Sequence, residues 1–191
     1  MMKKTLTALA LIPAASAAGA GQPYEPQMRA FLNDHLRKWI EDPAIVQAIE
    51  AQNARTASYS QAKIDELDKS WQAQIGEAEM PLVTPVIQNP AADFLRQQVK
   101  AAGGSILEAF VMDAKGLNVA ASAPTSDYWQ GDEAKWQKTF LKGPDAIDIG
   151  EVNFDESTQA YEAQISTTIV DPATGKPIGA ITVGLNVDAL Q

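Results

Sequence analysis

The ten residues Asp127 to Trp136 set Tyr128, Trp129 and Trp136 beside Asp127, Asp132 and Glu133, which puts three of the chain's thirteen aromatic residues next to three carboxylates. Such a cluster suits cations. A Trp or Tyr face attracts an ammonium or guanidinium group by about 0.5 to 2 kcal/mol, depending on desolvation, and a carboxylate adds a charge-assisted hydrogen bond. The spacing of Trp129, Asp132 or Glu133, Trp136 and Phe140 predicts a helix over 132–141, stopped by Gly143-Pro144, with an acid on its aromatic face. A carboxylate held among aromatics costs about 2 kcal/mol or more if unpaired, so it needs a partner, and a ligand ammonium group would serve. The alternative is structural: Trp129 and Trp136 as core, Tyr128 as a lid and Asp132 as the helix N-cap.

Catalysis is hard to build from the rest of the inventory. There is no cysteine, and His35 is the single histidine, so Cys-His schemes are excluded and a Ser-His-Asp triad would have to use a residue set in the first amphipathic helix. A zinc site lacks ligands. Asp145, Asp148, Asp155 and Glu156 are oxygen donors for calcium, but no EF-hand loop surrounds them. Asp132 and Asp155 as a glycosidase-like pair carry no further signal. Gly103-Gly104 and Gly116 form no phosphate-cradling motif. The sequence therefore predicts no enzyme, no metal and no cofactor.

Residues 1–20 read as a cleavable export signal. Lys3 and Lys4 precede an apolar run from Leu6 to Ala18, and small residues offer cleavage near Ala17 or Ala20. That run is too short to span a bilayer, which takes about 20 residues. Cleavage would lower the 15 basic residues to 13 against 24 acidic ones, taking the net charge from -9 to -11. Such a surface repels nucleic acid and anionic membranes and favours cationic or zwitterionic partners. The expected product is a soluble periplasmic or secreted protein with one domain over 21–191, stabilised by an apolar core.

The elements that must hold the cluster divide into two halves. Met28 to Ile40 reads as a helix. Asp42-Pro43 opens another that runs to about Ala57, and Ser58-x-x-Gln61 has the capping-box pattern for a third carrying Ile64, Leu67, Trp71 and Ile75, or for a continuation of the second. Asn89-Pro90 starts a helix that stops at Gly103-Gly104. Beyond it the period becomes two. Ile106–Met112 and Leu117–Ser122 flank Asp113-Ala-Lys-Gly116 as a hairpin, then come 147–152, 161–170 and 178–187, the last with Ile181, Val183, Leu185 and Val187 on one face. The fold class is α+β: long N-terminal helices before an antiparallel sheet of about five strands.

The blocks 108–119, 126–133, 165–171 and 175–187, in this order, resemble the Cache family of PAS-like extracytoplasmic sensor domains, over residues 40 to 190. The resemblance implies a small-ligand pocket on one face of the sheet, roofed by the segment between the second and third strands. It implies that Tyr128 and Trp129 from the roof and Asp155 from the following strand hold an amino group. Relatives that bind amino acids take the carboxylate with an arginine, but Arg29, Arg37, Arg55 and Arg96 all lie in the helical half, which leaves Lys135 as a point charge. The expected site is thus Tyr128, Trp129, Asp132, Lys135, Trp136 and Asp155, taking an amine, an amino acid or a related metabolite. With no output segment after Val187, such a protein would pass its ligand-bound state to a membrane receptor or kinase. The competing expectation is a ligand-free interaction module docking through its helical half. Ile45, Val46, Ile49, Ile64, Leu67 and Trp71 could also pack against a second subunit.

Overall fold

A computed structural model describes residues 24–155 and 159–190. The export signal over 1–20 and Glu156 lie outside the described residues.

The chain enters through a helical segment made of α1 (Glu25–Phe31), a π-helical stretch (Leu32–Leu36) and α2 (Arg37–Trp39). Met28, Leu32, Leu36 and Trp39 recur every three or four residues and are all buried. Asp42 caps α3 (Pro43–Thr56) by accepting from the Ala44 N–H at 2.8 Å, with Pro43 at the first helical position. The cap of α4 (Gln61–Gln74) is Ser60, whose hydroxyl accepts from the Lys63 N–H. Ser58 is exposed and takes no part, because α3 and α4 are separate helices and the cap falls on the last residue of the link. After the short α5 (Thr84–Ile87), Asn89 caps α6 (Pro90–Ala101), which ends before the positive-φ pair Gly103 and Gly104.

Six strands follow: β1 (Ile106–Asp113), β2 (Asn118–Ala121), β3 (Ile147–Ile149), β4 (Asn153–Asp155), β5 (Ala160–Val170) and β6 (Pro177–Asn186). All pairs are antiparallel, in the order β2-β1-β6-β5-β3, with β4 also on β5. The fold is α+β, as the change of period predicts.

Strand alternation gives the sheet two unlike faces. Ala109, Val111, Ile165, Ile169, Ile181, Val183 and Leu185 form one, buried with Met28, Leu36, Ile45, Ile49 and Leu95 from the helices. Full burial of each such aliphatic side chain is worth about 1.5 to 3 kcal/mol. Ile45 and Ile49 are thereby covered by the chain's own sheet, and Ile64 and Trp71 are buried in the second cluster, so these side chains are not free to meet another subunit. The second face is mixed. Its cross-strand rows are Met112–Ala180–Thr168, Phe110–Thr182–Ser166 and Glu108–Gly184–Gln164, running from apolar to polar. Ile64 and Trp71 of α4 cover the apolar end together with Tyr128 and Trp136.

The helix expected over 132–141 is one turn, α7 (Ala134–Gln137), followed by a 3₁₀ turn at Phe140–Lys142. Thr139 interrupts it: its hydroxyl donates to the Lys135 carbonyl and its own φ, ψ of -111°, -86° are not helical. Glu133, not Asp132, stands at the N-cap, and its side chain makes no capping bond.

Candidate functional site

The segment from Pro124 to Trp136 crosses the second face as a roof, and hydrogen bonds to three elements fix it. One carboxylate oxygen of Asp68, on α4, accepts the backbone N–H groups of Tyr128 at 2.8 Å and Trp129 at 2.9 Å. The Trp71 indole donates to the Thr125 carbonyl at 2.8 Å, and Asn118 of β2 donates to Thr125 Oγ1 and the Asp127 carbonyl. Trp136 donates to the Asp113 carbonyl at 3.1 Å.

Asp113 in turn holds the base of the roof. It is fully buried, and its carboxylate accepts from Gln52 and Thr56 of α3 and from the backbone N–H groups of Lys115 and Leu117. Strand, hairpin turn, helix and roof meet at this one residue.

These bonds decide what the aromatic cluster does. Tyr128 is buried and stacked on Trp71, ring centroids 5.2 Å apart and 16° from parallel. Burial pushes its phenol well above the usual tyrosine range; Asp113 and Tyr59 push the same way and Arg55 opposes them. Trp129 donates to the Lys115 carbonyl at 2.9 Å and lies against Gly131, where a Cβ would fall 2.3 Å from its indole nitrogen. Trp136 is buried and stacked on Phe140. Asp132 is exposed. Asp155 closes β4, and its side chain lies outside the described residues.

A cavity of about 520 Å³ opens where the roof passes over the polar row. Of the six residues expected at the site, Lys135 lines it. Its floor is Glu108, Glu162 and Gln164, its walls are Phe110 with Gly150, Glu151 and Asn153 at the entry to β4, and its roof is Pro124, Thr125, Ser126, Gln130 and Lys135. Gly184 makes the floor possible: a Cβ there would sit 2.5 to 2.7 Å from the Glu162 carboxylate, which therefore lies directly over the glycine. The Gln164 amide nitrogen donates to Glu108 Oε1 at 2.9 Å and to Glu162 Oε1 at 3.0 Å, tying two carboxylates into one acidic floor. Lys135 is held at the opposite side by Glu133 at 2.9 Å and Gln130 at 3.3 Å, with its ammonium 5.3 Å from the Phe110 ring centroid. Among the described lining residues, three carboxylates thus face one ammonium already paired with a fourth acid.

Tyr128 lines a second cavity, of about 440 Å³, on the other side of the roof between α3, α4 and α5. Among the described residues no cluster of three or more His, Cys, Asp or Glu is arranged to hold a metal ion, and no helix is long and apolar enough to cross a membrane.

No protein-family model and no curated protein matches the chain. Among solved structures it is similar to the sensor domain of the histidine kinase DctB of V. cholerae, at 11% identity and a TM-score of 0.44 over 87% of this chain and 53% of that one. It is similar to the sensory domain of the Campylobacter jejuni chemoreceptor Tlp3 with isoleucine bound, at 16% identity and 0.42 over 90% and 66%. A third match is the ligand-binding domain of the Pseudomonas fluorescens chemoreceptor CtaA in complex with L-serine, at 14% and 0.40 over 85% and 62%. All three are sensory or ligand-binding domains. The chain spans 53 to 66% of their length. At these identities and scores the chain's own residues decide what its cavities hold.

Proposed function

We propose that this is an exported ligand-binding sensor protein that takes a small amine-bearing metabolite in the cavity under the roof and passes its bound state to a membrane receptor or kinase. The observation that carries this reading is the acidic floor, where Gln164 joins Glu108 and Glu162. Two carboxylates drawn together by one amide repel each other, and an ammonium group placed against them relieves that repulsion while making charge-assisted hydrogen bonds. Phe110 supplies an apolar wall, and about 520 Å³ lies within the range of small-molecule sites. A zwitterion would turn its carboxylate towards Lys135, whose pairing with Glu133 makes it a weaker anchor than the floor. The strongly negative charge of the chain favours the same ligands.

Isothermal titration of the protein lacking residues 1–20 against amines, polyamines, amino acids and carboxylates tests the reading. Isoleucine and L-serine, bound by two of the matched receptors, belong in the panel. Binding confined to ammonium compounds, weakened tenfold or more (about 1.4 kcal/mol) by Glu162→Gln, supports it. Binding that Glu162→Gln leaves unchanged would overturn it.

One observation favours a ligand-free interaction module: Met112, Phe110 and Trp136 already fill the apolar end of the roofed face. A panel with no binder at all would leave that module, docking through its helices on a membrane kinase, as the better account.

A further inference from the structure

We propose that the second cavity, on the far side of the roof, is an anion site for a small carboxylic acid with an apolar body. It is separate from the amine site and opposite to it in charge preference.

The cavity lies between α3, α4, α5 and β2, and its volume of about 440 Å³ suits a small molecule. Leu67, Leu82, Val86 and Val119 give it apolar walls. Its other polar lining is committed elsewhere. The Gln52 amide donates to Asp113 and to the Leu117 and Asn118 carbonyls, and Asn89 donates to the Pro85 and Val119 carbonyls while capping Ala92.

Three groups are not committed: the Arg55 guanidinium and the hydroxyls of Tyr59 and Tyr128. Among the described residues, none of the three makes a hydrogen bond, and Arg55 makes no ion pair. Tyr128 is 6% exposed as a residue and lines this cavity, and its hydroxyl makes no hydrogen bond among the described residues, so a ligand oxygen here can accept from it.

The missing partner is an acceptor. Arginine only donates, in a fork that fits a carboxylate with two parallel bonds. Burial keeps the Tyr128 phenol protonated and able to donate. Asp113 places a negative charge behind Tyr128, but that carboxylate already accepts from Gln52, Thr56 and two backbone N–H groups. In a chain of net charge -9, a guanidinium left without an acid beside two phenols marks a place kept for an anion from outside. The apolar walls then select an acid with a hydrocarbon or aromatic body over an inorganic anion.

Titration calorimetry with hexanoate and 4-phenylbutyrate, against hexanamide as the uncharged control, tests the assignment. Both acids should bind, with the amide at least tenfold weaker. Arg55→Gln, an exposed position, should weaken the acids tenfold or more. Tyr128→Phe, which keeps the ring on Trp71, should weaken them about threefold or more by loss of one hydrogen bond. Glu162→Gln should leave them unchanged, so failure here is separable from failure of the amine reading. Equal binding of amide and acid, undiminished affinity in Arg55→Gln, or no binding of either acid at millimolar concentration would overturn the proposal.

Discussion

Asp68 on α4 and Tyr128 in the roof are joined by a 2.8 Å bond from the Tyr128 backbone N–H to a carboxylate oxygen that also accepts from Trp129 at 2.9 Å. The pair of bonds resembles the cap of a helix, with a carboxylate gathering successive backbone donors, but here it fastens a loop to a helix 60 residues earlier in the chain. Trp71, one helical turn from Asp68, receives the Tyr128 ring, so a single stretch of α4 fixes both the backbone and the side chain of the roof.

Asp68→Ala should cost about 1 to 3 kcal/mol, since two backbone donors lose a charged acceptor. Hydrogen exchange at the Tyr128 and Trp129 amides should accelerate more than exchange in β5 or β6. Uniform acceleration across the sheet would show that Asp68 acts on global stability and not on the roof.

Asp113→Ala removes the acceptor of four hydrogen bonds at a fully buried position. The orphaned donors and the cavity left behind should together cost about 3 kcal/mol or more in denaturant unfolding. A loss below about 1 kcal/mol would mean that water replaces the carboxylate, and that the hairpin turn does not depend on it.

Gly184→Ala addresses the cavity and not the core. The three atoms nearest its Cβ would all belong to the Glu162 carboxylate, the far end of a side chain, so stability should stay within about 1 kcal/mol of the parent. Affinity for an amine ligand should fall about tenfold as Glu162 is displaced from Gln164. Unchanged affinity would place the ligand away from this floor.

The Tyr128 phenol is raised above its ordinary value by burial, so the folded protein holds that proton more tightly than the unfolded chain does. The stability this contributes is whole below the unfolded value of about 10 and is lost as pH rises above it. Denaturation midpoints should therefore fall above about pH 10, and Tyr128→Phe should flatten the fall. An equal slope in both proteins would assign the alkaline loss to other groups.

Much of the scaffold is legible because its signals are local. Asp42-Pro43, Asn89-Pro90 and the turn Asp113–Gly116 each place a cap or a reversal by the chemistry of two to four neighbouring residues. The 132–141 segment misleads because aromatic periodicity is satisfied equally well by one helical turn, a break at Thr139 and a 3₁₀ turn. The aromatic cluster marks the roof, but its side chains bond inward to carbonyls that no sequence window brings together. Part of the floor is visible as Glu162, Gln164, Ser166 and Thr168, polar residues at every second position of β5. That alternation ordinarily means a face turned to water. Only the roof, set in place by Asp68 on what reads as the polar side of an amphipathic helix, turns it into a lined cavity.

The alternation has a further consequence for how such a protein can change. Neighbouring residues of one strand serve different ends: Ala163 and Ile165 hold the sheet to its helices, while Glu162 and Gln164 meet whatever lies under the roof. The freedom to change belongs to the polar end of the second face, since Phe110, Met112 and Ala180 at its apolar end are buried in the second cluster. Substitutions at Glu108, Glu162, Gln164 and Gly184 form a small alphabet from which new ligand preferences can be spelled on an unaltered frame.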